Sequence, residues 1–259
     1  MHEVLLFGQV PWGRHEQVLK ILAGLCAMQP QRVIERHAVY KPSQAPTQQR
    51  GVQVGGSQTI QQQQRPNRDR PVQSTELFYV QAIQSLEESD LGDKIPNGSE
   101  TNGTTNVMKK QSWAMQFQDV PQPGKRAVIL RQTTKSKIVD GDAHEFMVTQ
   151  GNTFITEFMT EGYQFVTGNI VLNMYRPLQF HPTESVLSSP REALPPLDSL
   201  QPLDESGAYL LEASILLGSE LKPEIETQGT NELRDLQARM KGVVTLKVPE
   251  RLSLDTRVK

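Results

Sequence analysis

A chain of 259 residues has room for one large folded unit or two small ones. Its 27 basic and 29 acidic residues leave a formal net charge of −2, which gives no general pull toward nucleic acid or an anionic membrane. Cys26 is the only cysteine, so no intrachain disulfide and no multi-cysteine metal site can form. No apolar run approaches the ~20 residues that span a bilayer. The N-terminus also lacks the basic and apolar regions of a signal peptide, so an intracellular protein is expected.

Val4, Leu6, Gly8 and Val10 alternate with Leu5, Phe7 and Gln9, which predicts a strand covered on both faces and central in a sheet. Val18, Ile21, Leu22, Leu25 and Met28 then recur at helical spacing, widened by Leu19 and Cys26, so a helix with one buried flank follows. Pro11 and Gly13 precede it and Pro30 is expected to stop it. Cys26 on that flank is expected to be buried and inert. In residues 31–41, Val33, Glu35, His37 and Val39 alternate with Arg32, Ile34, Arg36, Ala38 and Tyr40, and neither face is purely apolar. A solvated edge strand is the preferred reading, and a small barrel with paired charges inside is the other.

Gln-rich residues 42–74 and polar residues 87–111 carry too few aliphatic groups to offset the entropy of ordering, and both are read as disordered inserts. Between them, Phe78, Tyr79, Val80 and Ile83 predict a strand over 76–85, with a short helix as the fallback. Trp113, Met115 and Phe117, then Val128 and Leu130, predict a hairpin with its turn at 120–124. Asp140 to Gln150 reads as a short helix capped by Asp140 or Asp142 and closed by Gly151. Residues 153–166 and 169–178 read as antiparallel partners joined at Thr167-Gly168-Asn169.

Pro-rich residues 179–206 are expected to form a loop, and Tyr209 to Leu217 a further strand. Thr230 is expected to cap a last helix with Leu233, Leu236 and Met240 on one face and Gly242 past its end. Eight strands and three helices result. The expected fold is one mainly β (α+β) domain, residues 1–259, closed as an antiparallel barrel of about eight strands that leaves no exposed edge.

No catalytic constellation emerges. Gly124-Lys125 lacks the earlier glycine of a phosphate-binding loop, and no G-x-G-x-x-G follows a strand. There is neither a G-x-S-x-G elbow nor an H-E-x-x-H pair. His2, His15, His37, His144 and His181 are dispersed, and surface or packing roles are expected for them, as packing is for Trp12 and Trp113. The only adjacent Glu-x-Glu, Glu224-Ile225-Glu226, lies beside Pro223 in what reads as a loop, and Glu3 is the lone acid of the first strand. No catalytic residue, cofactor or metal is therefore expected, and the barrel interior is expected to hold no reactive acids.

Several runs together resemble the fungal type of the Mediator subunit 18 family. They are EVLLFGQV at 3–10, LKILAGLCAMQP at 19–30, RHAVY at 36–40, TEFMTEGYQFVTGNIVLNMY at 156–175, GAYLLEASIL at 207–216 and ELRDLQARMKGVVTLKVPERL at 232–252. The resemblance runs end to end except for the inserts. It implies a barrel related to the triphosphate-tunnel and metal-dependent RNA triphosphatase folds, without their catalysis. It also implies a nuclear scaffold of the Mediator head module, paired with Mediator subunit 20 and tethered by a C-terminal helix of Mediator subunit 8. The implied role is to connect activators with RNA polymerase II during initiation, with no membrane and no direct nucleic-acid partner. Partner contacts are expected from the Tyr163–Tyr175 segment, through Tyr163, Phe165, Met174 and Tyr175, and from the last helix, through Leu233, Leu236 and Met240. The competing expectation is a metal-dependent RNA 5′-triphosphatase relying on Glu35 and Glu212.

Overall fold

The computed structural model describes residues 1–43, 76–92, 112–139, 141–181 and 187–258. Among the described residues nine strands are formed: β1 (His2–Val10), β2 (Gln31–Pro42), β3 (Val80–Leu86), β4 (Trp113–Gln118), β5 (Ile129–Ile138), β6 (Asn152–Thr167), β7 (Ile170–Gln179), β8 (Gln201–Pro202) and β9 (Tyr209–Leu217). Three α-helices accompany them among those residues: α1 (His15–Cys26), α2 (Ala143–Thr149) and α3 (Pro223–Arg239). All pairings are antiparallel, and the order β6-β2-β3-β4-β5-β1-β9-β7 closes on itself because β6 also pairs with β7. The result is the expected eight-stranded barrel, with β8 as a two-residue addition to β7.

The largest core lies outside this barrel, between its wall and two helices. Val4, Leu6, Leu172, Met174, Leu211 and Ala213 pack there against Val18 and Leu22 of α1 and Leu233 and Leu236 of α3. Gly229 lets α3 settle on the wall, since a Cβ there would stand 3.1 Å from Leu217 and 3.3 Å from Val4. The alternate residues of the same strands face inward, where Leu5, Phe7 and Ile129 form a small cluster with Leu254. Both faces of β1 are thus covered, as its unbroken apolar run requires.

Several local expectations need correcting. β2 is no edge strand: it pairs with β3 from Ile34 to Tyr40 and with β6 from Gln31 to Pro42. Its mixed faces arise because the inner one meets a polar lumen and the outer one places Arg36 in a buried ion pair. α1 ends at Cys26, where Ala27 turns left-handed (φ 50°) and its N–H bonds Ala23, so Pro30 merely leads into β2. Cys26 is half-buried rather than buried.

α3 starts at Pro223, whose missing donor costs nothing in a first helical turn. Glu224 and Glu226 are therefore helical rather than in a loop, and Thr230 sits inside the helix. Gly242 does adopt φ 88° just past its end. Asp142 caps α2 by accepting the N–H groups of His144 and Glu145, while Asp140 lies outside the described residues.

The two polar inserts, read as disordered, fall largely outside the described residues. Glu88–Asp90 within the second forms a single 3-10 turn. In the Pro-rich stretch, Leu194 and Leu200 are buried against Ile34, Met159 and Leu178, and Arg191 joins an ion pair. The described part of this stretch is anchored, and it includes a 3-10 turn at Leu197–Ser199 and the two-residue β8. The C-terminal segment, beyond Leu246, lies over one mouth of the barrel through bridges between Phe7 and Lys247 and between Phe78 and Arg257.

Candidate functional site

Period-two alternation sends one residue in two of every barrel strand into the lumen. A cavity of about 380 Å³ remains there, and its wall includes Glu35 and His37 of β2, Arg131 and Lys135 of β5, Asn173 and Tyr175 of β7 and Glu212 of β9. Gln81, Gln116, Gln118 and Gln164 fill polar positions between them. Three glutamates thus come together in the lumen, because Glu3 also reaches Arg131 from β1. The Arg131 Nε donates to Glu3 Oε1 at 2.5 Å, and both side chains are largely buried.

Glu212 has no such partner to itself. Burial raises its pKa to about 7, with the Glu3 and Glu35 carboxylates adding to the effect and Arg131 and Asn173 opposing it. Tyr175 bonds the Glu212 carboxyl, and burial first, then Glu212, pushes its phenol well above the usual range. His37 stacks on Phe158 with rings 4.8 Å apart. Its Nδ1 meets Gln81 Oε1 at 3.1 Å and its Nε2 meets Thr160 Oγ1 at 3.2 Å. Burial lowers its pKa, and Glu35, 3.7 Å from Nε2, pulls the other way.

These contacts make the lumen a network of internal pairs. Glu3 is held by Arg131, and Glu212 is held by Tyr175 and Asn173. Among the described residues, no three His, Cys, Asp or Glu side chains gather so as to hold a metal ion. The chemistry available is hydrogen bonding and one carboxyl that titrates near neutrality.

The residues expected at a partner interface are mostly interior to the chain. Phe165, Met174, Leu233, Leu236 and Met240 are all buried in the core between wall and helices. Tyr163 is half-buried beside His15, with rings 5.8 Å apart. Tyr175 points to the opposite side of β7, into the lumen. Helical and strand periodicity identifies an apolar face but not whether the chain itself covers it.

Arg131 and Lys135 escaped the sequence reading because 131–137, RQTTKSK, has no apolar alternation. Their signal was charge at every second or fourth position after an apolar strand start. His15, Trp12, Tyr209 and Arg176 form another unforeseen cluster on the outer wall. The Arg176 guanidinium lies 4.9 Å from the Trp12 ring and 5.1 Å from that of Tyr209, and Glu161 holds it.

A family model described as "Med18 protein" matches residues 2–257. The chain is 36% identical over 275 residues to "Mediator of RNA polymerase II transcription subunit 18" of Aspergillus fumigatus. It is 34% identical over 271 residues to the protein of the same name in Coccidioides immitis, and both alignments cover all of each chain. A chain in the solved Schizosaccharomyces pombe Mediator head module has the same fold, with a TM-score of 0.66 at 17% identity over 96% of this chain and 99% of that one. With its barrel closed, its helices on the outer wall and its sequence aligned end to end with these relatives, the chain belongs to the Med18 family.

Proposed function

We propose that the protein is a noncatalytic subunit of the Mediator head module, a nuclear coactivator scaffold linking activators to RNA polymerase II initiation. The observation that carries this reading is the family match over residues 2–257. The lumen is consistent with it, because Arg131 holds Glu3 and, among the described residues, no three His, Cys, Asp or Glu side chains gather so as to hold a metal ion. The partners are Mediator subunit 20, a C-terminal helix of Mediator subunit 8 and the other head subunits.

The contact elements are the β6–β7 hairpin and α3, through their outward sides. Phe165 and Met174 of the hairpin, Leu233 and Leu236 of α3 and Met240 at its C-cap pack in the core between wall and helices, while Ile225 of α3 is exposed. Co-expression with subunit 20 and the subunit 8 helix, followed by size exclusion, tests the assembly: a single co-eluting complex is expected. Separate elution of all three chains, together with affinity isolation from nuclear extract that returns no head subunit, would refute the reading. Release of phosphate from an RNA 5′-triphosphate, lost in Glu35→Gln and Glu212→Gln proteins, would instead establish the triphosphatase.

A further inference from the structure

The barrel closes without the segment that crosses its mouth. β1 pairs with β9 along its whole length but with β5 only from His2 to Leu5, and β5, β4 and β3 pair directly with one another. Residues 247–258 span these strand ends without coming between any of them. They set out from Leu246, which is buried in the core between wall and helices. Phe7 and Lys247 exchange two backbone hydrogen bonds, of 3.0 and 2.7 Å, beside the part of β1 that β5 leaves unpaired. At the far end Tyr79 donates to the Thr256 carbonyl at 2.8 Å and Val258 to that of Leu77 at 2.7 Å.

Between these ends the hold is slight. Arg251–Leu254 is a 3-10 turn, and no residue from Lys247 to Val258 is fully buried. Leu252 is exposed, and of this segment Leu254 alone lines the lumen. Arg251 donates to the Pro121 carbonyl at 2.5 Å and Thr256 to the Gln118 carbonyl at 2.6 Å. Arg257 pairs with Asp255 inside the segment and with the exposed Glu76 across it, and an exposed ion pair adds little. The residues beneath Leu254 are of another kind: Leu5, Phe7 and Ile129 are all buried. A segment with so little burial of its own opens at a far lower free energy than the strands it covers.

We propose that residues 248–258 are a displaceable strap, which lifts off the closed barrel as a unit and takes Leu254 out of the lumen. The Phe7–Lys247 pair is the hinge and Leu246 the anchor. Release uncovers Leu5, Phe7 and Ile129, so one end of the barrel gains an apolar opening while every strand pair stays intact. The strap is a reversible cover, and Leu254 is its latch.

Hydrogen exchange of the full chain, read amide by amide, is the first test. The Tyr79 and Val258 amides, which bond across the far end of the strap, are expected to share one protection factor, about tenfold or more below those of the β1–β9 ladder. Leu254→Asp is expected to lower that shared value about tenfold further and to leave the β1–β9 amides unchanged. The second test follows modification of Ile129→Cys by a small methanethiosulfonate, with Cys26 on the opposite side of the wall as the reference in the same protein. Adding Leu254→Asp is expected to speed reaction at position 129 about tenfold or more and to leave Cys26 unaffected. Leu210→Cys, at a half-buried position against the same cluster, takes its place if Ile129→Cys does not fold. Protection of Tyr79 and Val258 equal to that of the β1–β9 ladder would overturn the proposal. So would different protection at these two amides, which is fraying rather than release of a unit, or a reaction rate in the lumen that Leu254→Asp leaves unchanged or raises only together with that of Cys26.

Discussion

Arg36 and Glu157 meet on the outer wall of the barrel with Nη2 2.6 Å from Oε2, and neither side chain is more than 1% exposed. The same carboxylate accepts the Arg191 backbone N–H at 3.0 Å and its guanidinium at 2.8 Å, while Arg36 donates to the Arg191 carbonyl. One buried pair thus ties the Pro-rich loop to β2 and β6. Removing one charge strands the other, so Glu157→Gln is expected to cost about 3–5 kcal/mol of stability. The double change Arg36→Met/Glu157→Leu is expected to cost less, because the fully buried Arg36 charge is removed with its partner and only the partly exposed Arg191 loses this acceptor. Urea denaturation of the three proteins checks the difference, and hydrogen exchange over 187–202 is expected to rise in the single variant.

Glu212 makes stability depend on pH. Its pKa is 4.5 when exposed and about 7 in the barrel, so between those values the folded state binds the extra proton. Its contribution is present in full below about 4.5, falls as pH rises, and is gone above about 7. Glu212→Gln is expected to flatten that decline, measured as the urea midpoint between pH 4.5 and 7.5.

His37 acts in the other direction. Burial lowers its pKa, so the unfolded chain takes up a proton first as pH falls below 6.5. Its neutral ring favours the fold above that value and the benefit is lost on acidification. His37→Gln is expected to lessen the loss of stability below pH 6.5, which comparison of melting curves with the parent at pH 5 and 7.5 reveals.

Gly162 stands where β6 lies between β2 and β7, opposite Val33 and Tyr175. A Cβ there would fall 2.1 Å from the Met174 carbonyl oxygen and 2.6 Å from the Tyr175 Cα. Backbone cannot move aside as a flexible side chain can. Gly162→Ala is therefore expected to destabilise by about 3 kcal/mol or more, the upper end of overpacking costs, with a lowered melting temperature.

Asp142 closes the N-terminus of α2 through two backbone N–H groups. Asp142→Ala is expected to cost about 1 kcal/mol. Faster amide exchange at His144 and Glu145, with the barrel strands unaffected, is the checking measurement.

Much of the architecture was legible because it follows local periodicity. β1, β6, β7 and β9 were marked by alternating apolar residues, and Gly168-Asn169 marked the turn between β6 and β7, where Thr167 pairs with Ile170. The start of α3 was hidden because Pro223 and Gly229 suggest a loop when neighbours are unknown. In the fold, Pro223 occupies a first turn and Gly229 a close contact with the wall. Glu35 and His37 were placed on one face, but their joining with Arg131 and Glu212 depends on strands distant in sequence.

By itself the sequence determined the succession of strands and helices and the end-to-end likeness to one family, since side-chain period and turn chemistry act over a few residues. Only the tertiary structure decided that the mixed faces of β2 are both interior, that the apolar face of α3 is covered by the chain itself, and that three glutamates share one lumen. Closure of the barrel is the physical reason. It fixes which side of every strand faces inward, and that choice sets which charges meet and which apolar faces stay open.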